Sequence, residues 1–354
     1  PVAAGMAAED CMTVYRVCIL SLLATALAGA SGCTISASPA AEKEAEDHYV
    51  TGQLLLEQGQ LNEALAELAR AVQFDPQLAV AHSAMGDIAR QRGEYRQAVV
   101  SYRKACSADP YAFRPHYNLG VTYQLIAEDP NEGADYNEMV RKAIGVYLRA
   151  AQLEPADYDT NLNLSACYYQ QGKYDLARKY CQAAIDANPD RAESYSNLGV
   201  IYDAMGQWDQ AIAAYKEALE YDARQPDLLI NLGSTYLKLG RVDQARRTFE
   251  QAARQDPTNS APWEQIGSCH YRQNDRAAAI AAFGKALEID PDSHLAHRGL
   301  GVVYMAGYLE DPSATALRDK ALAAWRRSLE LNANQPELSR LVRKYAASAS
   351  VTTP

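Results

Sequence analysis

The chain is poor in phenylalanine, with 4 residues against 23 tyrosines, and poor in positive charge, with 34 lysines and arginines against 44 aspartates and glutamates. A net charge of −10 repels polyanions, and nucleic-acid binding draws most of its affinity from cations set against phosphates, so nucleic acid is excluded as the expected partner. Its longest apolar-leaning run, Val17 to Leu27, falls well short of the roughly 20 residues a membrane-spanning helix needs. No glycine-rich phosphate loop, Gly-x-Ser-x-Gly turn or His-Glu-x-x-His helix occurs, so catalytic residues, cofactor and metal are all expected to be absent. What is present is alanine, tyrosine and a hydrophobic share of 48%, which suits helices whose faces are half-buried rather than one large enclosed core.

The amino terminus reads as an export signal. Met12 to Arg16 gives a charged start, Val17 to Leu27 the apolar run, and Ala28-Gly29-Ala30-Ser31-Gly32 a string of small residues ending at Cys33; residues 1–11 are expected to be upstream sequence or an overcalled start. Small residues followed at once by a cysteine resemble the cleavage box of bacterial lipoproteins, which implies an acylated Cys33. The rival is ordinary cleavage after Ala30, releasing a secreted or periplasmic protein. In a bacterium both place the chain outside the cytoplasm, and the lipoprotein resemblance implies the periplasmic side of the outer membrane where there are two membranes. Residues 33–44 are expected to form a tether, which over 34–44 would span roughly 18 Å.

From Ala45 the same pattern returns every 34 residues, starting at Ala45, Ala79, Phe113, Tyr158, Ala192, Pro226, Ser260 and His294. Position 8 of each unit is glycine, as at Gly86, Gly199 and Gly233, except for Ser165; position 20 is always alanine, as at Ala98, Ala177 and Ala211. The first leaves room for a close helix approach, and the second is the expected partner in it. Gly59, Gly93, Gly172, Gly206 and Gly240 mark the stop between the two helices of a unit, because glycine accepts the backbone angles of a tight helix end. Pro76, Pro110, Pro155, Pro189, Pro257 and Pro291 end the second helix. The third unit is longer around 127–137 and the eighth around 307–316. Both additions are expected as loops at hairpin tips, where the acidic residues Glu128, Asp129, Glu132 and Asp135 offer a second contact surface if the loop is more than a neutral extension.

A 34-residue period with two helices, small residues and prolines at these positions closely resembles the tetratricopeptide repeat family over residues 45–334. The resemblance implies an all-α fold, a right-handed α-solenoid of about eight helical hairpins, with the first helix of each lining a concave groove that binds a protein or peptide. Leu338, Leu341, Val342 and Tyr345 then share one face of a capping helix over 335–347, followed by a disordered tail at 348–354.

The histidines at 48, 82, 116 and 297 all occupy position 4, and packed helices stand about 8–10 Å apart, so they cannot share one ion and are expected to be packing residues. Cys167 and Cys181 lie on the two helices of one hairpin, where a bridge is conceivable, although buried free thiols are the commoner state.

Position 6 carries the functional signal: Asn118, Asn163, Asn197 and Asn231, with Gln265 in the seventh unit. Positions 2, 6, 9 and 13 share a helix face that should edge the groove, and an amide both donates and accepts, so a row of amides can pair with the backbone of an extended peptide. This resembles the asparagine ladder of some peptide-binding tetratricopeptide superhelices; local hydrogen bonding between repeats is the competing role. The basic clamp by which chaperone-binding members hold a terminal carboxylate is absent, since Tyr117, Leu162, Ser196 and Ile230 precede the asparagines. The reading is a non-catalytic scaffold of the cell envelope that holds an extended peptide or partner protein in its groove and reaches the membrane through Cys33. The alternatives are a structural spacer that works through its convex face and insertions and, more distantly, an enzyme with an unrecognised groove site.

Overall fold

The computed structural model describes residues 38–347, so the expected export signal, Cys33 and the expected tail at 348–354 lie outside the described part. Seventeen α-helices and no strand occur among the described residues, and the chain is an α-solenoid of helical hairpins. It divides into two compact units, one ending at Tyr111 and the other beginning at Ala112.

The first unit holds α1 (Pro39–Glu57), α2 (Leu61–Phe74), α3 (Ala79–Gln91) and α4 (Tyr95–Ala108). The second holds α5 (Phe113–Glu128), α6 (Tyr136–Leu153), α7 (Tyr158–Gln170), α8 (Tyr174–Ala187), α9 (Ala192–Ala204), α10 (Trp208–Tyr221), α11 (Pro226–Lys238), α12 (Val242–Gln255), α13 (Ala261–Arg272), α14 (Arg276–Ile289), α15 (His294–Glu310), α16 (Thr315–Leu331) and the cap α17 (Pro336–Ala347). Consecutive helices pair into two hairpins in the first unit and six in the second, and α17 packs on α16.

Helix α1 begins at Pro39, six residues ahead of the first repeat position, so 39–44 of the expected tether is helix. The cause is local: the Ser38 hydroxyl accepts from the Ala41 N–H at 3.3 Å, Pro39 occupies the first turn, and Glu42 complements the helix dipole.

The five expected glycine stops all sit at positive φ, between 69° and 75°. In the seventh hairpin the same place is taken by Asn274, at φ 62°, the residue type that best tolerates this region after glycine. At the other end of each hairpin, the residues just before Pro76, Pro155, Pro189 and Pro291 take non-helical caps with ψ between 84° and 96°, the state proline imposes on its predecessor.

The small residue at position 8 does not face the alanine at position 20 as its main contact. A Cβ on Gly86 would stand 2.6 Å from Tyr102, on Gly120 2.5 Å from Tyr147, on Gly233 2.6 Å from Phe249 and on Gly301 2.1 Å from Trp325. The partner is the large side chain at position 24, which lies against the glycine of its own hairpin and is fully or almost fully buried. Alanine at position 20 is buried as well and lets the helices close on that ring.

Both additions lengthen the flanking helices and leave a loop at the hairpin tip. Helices α15 and α16 run to 17 residues each, against 13 and 14 for α9 and α10. Around 127–137 a short 3-10 turn, Pro130–Glu132, separates α5 from α6, and two acidic residues of this tip cap helices: Asp129 accepts from Asn131 N–H at 2.8 Å and Asp135 from Asn137 N–H at 2.9 Å. Those carboxylates already have local work.

Candidate binding groove

The first helix of each hairpin sets the groove because one residue separates its buried seam from its open face. Leu119, Leu164, Leu198, Leu232 and Ile266 are all buried, and each is preceded by an amide that is half-buried or, at Asn231, exposed. Rotation by one residue on a helix is about 100°, so the amides stand at the shoulder of the packed stripe.

Their hydrogen bonding separates the two roles proposed for the column. Asn163 Nδ2 donates weakly, at 3.5 Å, to the Tyr117 hydroxyl of the preceding first helix. Asn118 is also engaged. The side chains of Asn197, Asn231 and Gln265 make no hydrogen bond among the described residues. Ties between repeats therefore account for part of the column and leave its C-terminal three amides with both donor and acceptor open to a ligand.

Charge on the same face is uneven. Asp159 and Asp227 are exposed. Lys238 is paired with Asp203, which also accepts from the Thr235 hydroxyl at 3.0 Å, so this groove cation is already neutralised. Arg272 and Arg298 are exposed and enter no ion pair among the described residues.

A cleft of about 310 Å³ between α13 and α15 continues the column. Gln265 and Ser268 form one side, Leu295 and Val302 the other, and Phe283 the floor. Sequence reasoning missed this cleft, although its signal is visible: position 6 of the eighth hairpin is Gly299, where an amide would continue the series.

Two of the position-4 histidines, His82 and His297, serve the turns. His82 Nε2 lies 3.0 Å from the Pro76 carbonyl and His297 Nε2 3.1 Å from that of Pro291, while Asn161, at the same position, donates to the Pro155 carbonyl at 2.9 Å. His48 pairs with Glu67 at 2.6 Å. Burial lowers the pKa of His82, keeping its ring neutral and suited to this one bond.

Cysteine chemistry finds no support. Cys106, Cys167, Cys181 and Cys269 are all free thiols. Burial pushes Cys167 and Cys181 up to about 12 and Cys106 and Cys269 up to about 11, far from the depressed range of a nucleophilic thiolate. Cys181 instead donates to the Ser194 carbonyl at 3.1 Å.

Known proteins agree with this architecture. Models described as tetratricopeptide repeat match residues 158–224 and 204–266, and a TPR repeat model matches 52–88, 86–126 and 267–306. The chain is 24% identical over 182 residues to the peroxisomal targeting signal receptor of Komagataella phaffii, a match covering 42% of this chain and 32% of the receptor. It is 28% identical over 149 residues to superkiller complex protein 3 of Mus musculus, covering 40% of this chain and 9% of that protein. It thus spans a third or less of the length of these curated relatives. Among solved structures, a tetratricopeptide repeat protein from Parabacteroides merdae superposes with a TM-score of 0.50 at 16% identity, covering 74% of this chain and 99% of that one.

Proposed function

Because the chain belongs to the tetratricopeptide-repeat family, a family of protein-interaction scaffolds, we propose that it is a non-catalytic adaptor that holds an extended segment of a partner protein along the first helices of its second unit. One observation carries this reading: Asn197, Asn231 and Gln265 recur at one register position on successive hairpins with their amides unbonded. A backbone in extended form offers N–H and C=O groups at regular intervals, which a repeating amide can satisfy whatever the side chains. The similarity to a protein named as a targeting signal receptor is in keeping with a protein partner.

We further propose that the protein is exported and lipid-anchored through Cys33. The support is the order of charge, apolar run and small residues over Met12 to Cys33. Anchored there, the groove would serve an envelope protein or an envelope assembly.

The test is affinity capture with the full chain, scored by mass spectrometry, beside a variant in which Asn197, Asn231 and Gln265 are alanine. A partner retained by the wild type and lost by the variant supports the groove. A partner retained equally by both moves the interaction to the convex face and the two lengthened hairpins, the role of a structural spacer.

A further inference from the structure

The amide series stops one hairpin before the stack ends, and the place where it stops is a hole. Gly299 occupies the register position of Asn231 and Gln265, and a Cβ there would stand 2.4 Å from the ring of Phe283. The ring reaches the groove floor only because glycine lies above it; Gly267, on the neighbouring first helix, lies against the same ring, with a Cβ there 2.8 Å away. Around the hole, Tyr271, Leu295 and Val302 are left 37%, 40% and 36% exposed. A folded chain gains by covering such side chains, so three together over an aromatic floor mark a place for an apolar group.

The rim is cationic. Arg272 and Arg298 line the same cleft, both exposed and neither in an ion pair among the described residues. The one carboxylate of the lining, Glu264, is buried and occupied, its Oε1 accepting from the Ser293 hydroxyl at 2.6 Å. Two guanidinium groups with open donors select a carboxylate, which they can bind in bidentate form. Arg298 and Val302 also line a second cleft, of about 420 Å³, that leads to Leu338 and Leu341 on the cap helix, so the apolar path continues past the hole.

We propose that this cleft is the specificity pocket of the groove: it takes one bulky apolar side chain of the partner's extended segment while an adjacent acidic side chain of that segment pairs with Arg272 and Arg298. The inference rests on the groove reading above. The same face presents exposed Asp159 and Asp227 further toward the N-terminus, so a segment with its acidic end at the pocket and basic residues toward Asp227 meets opposite charge at both ends.

The test uses the full chain, immobilised, and a display library of random peptides of about twelve residues. Enriched peptides should carry Leu, Met, Phe or Trp directly beside Asp or Glu. Arg272→Glu with Arg298→Glu should weaken such a peptide by about ten- to a hundredfold, and replacing the peptide's acid by Lys should restore binding to that variant. Val302→Trp, which fills the hole from an exposed position, should remove the preference for the apolar residue while thermal unfolding stays at the wild-type value. Peptides that depend on Asn197 and Asn231 yet ignore Arg272, Arg298 and Val302 overturn the pocket and leave the groove reading standing. Peptides indifferent to the asparagines as well, or no enrichment at all, overturn both.

Discussion

The ring of Tyr215 lies over Gly199 so closely that a methyl group at the glycine would stand 2.4 Å from ring carbons Cδ1 and Cε1. This contact joins the two helices of its hairpin, and its counterparts recur through the stack. Gly199→Ala is therefore expected to destabilise the protein by about 1–3 kcal/mol through overpacking, despite the better helix propensity of alanine. Gly145→Ala is the control, since a Cβ there meets nothing within 4 Å; it should stabilise by about 0.5–1 kcal/mol. Urea unfolding of the two variants decides it.

One hairpin departs from the pairing in both members at once. Where the others have glycine below a large side chain, the fourth has Ser165 and Cys181, a larger floor under a smaller lid, and both are buried. Cys181→Tyr alone should be strongly destabilising, because the serine side chain occupies the space of the ring. Adding Ser165→Gly should recover the loss, with a coupling of more than about 1 kcal/mol in a double-mutant cycle. Additive effects would refute the complementarity.

The repeats were legible because the period, the glycine stops and the prolines are local backbone signals that survive without tertiary context. The partner of the position-8 glycine was not, since alanine at position 20 is constant and draws the eye, whereas position 24 passes through Leu68, Tyr102, Cys181, Phe249 and Trp325 and shows its common role only when the packing is seen. The early start of α1 was readable in Ser38-Pro39 and Glu42, a capping residue, a first-turn proline and an acid. The expectation of a tether hid it. The added residues near 127–137 and 307–316 look alike as loop or helix in sequence, because Pro130 and Pro312 suggest breaks and say nothing of how far the flanking helices run. Of the site, the amide column was visible and its state of bonding was not, because Tyr117 reaches Asn163 from a different repeat.

Buried thiols make a pH-dependent contribution with a definite sign. Cys167 and Cys181 are pushed up from 9.0 to about 12, so the protonated form is favoured by folding. Their contribution is fully present below about pH 9, where the unfolded thiols are protonated as well, and is lost as pH rises through the folded values. Under reducing conditions, Cys167→Ala with Cys181→Ala should give a flatter fall of the urea midpoint above pH 9 than the wild type. Identical slopes would remove the thiols from the account.

Lipidation is tested in a bacterial host. Cys33→Ala should release the protein from the membrane fraction and stop incorporation of labelled fatty acid. A wild-type protein that is already soluble and begins at Ser31 contradicts the lipid anchor.

The central claim, that the amide column holds a partner's backbone, is tested most directly by calorimetric binding of a captured partner to the triple variant Asn197→Ala, Asn231→Ala, Gln265→Ala, run beside thermal unfolding of the same protein. Alanine is the better helix former by up to about 0.7 kcal/mol per site, so the fold should hold. Each lost neutral hydrogen bond is worth about 0.5–1.5 kcal/mol, so affinity should fall by about ten- to a thousandfold with the melting temperature unchanged or raised. A lower melting temperature with undiminished affinity, or a stable variant that binds as tightly as the wild type, would contradict it.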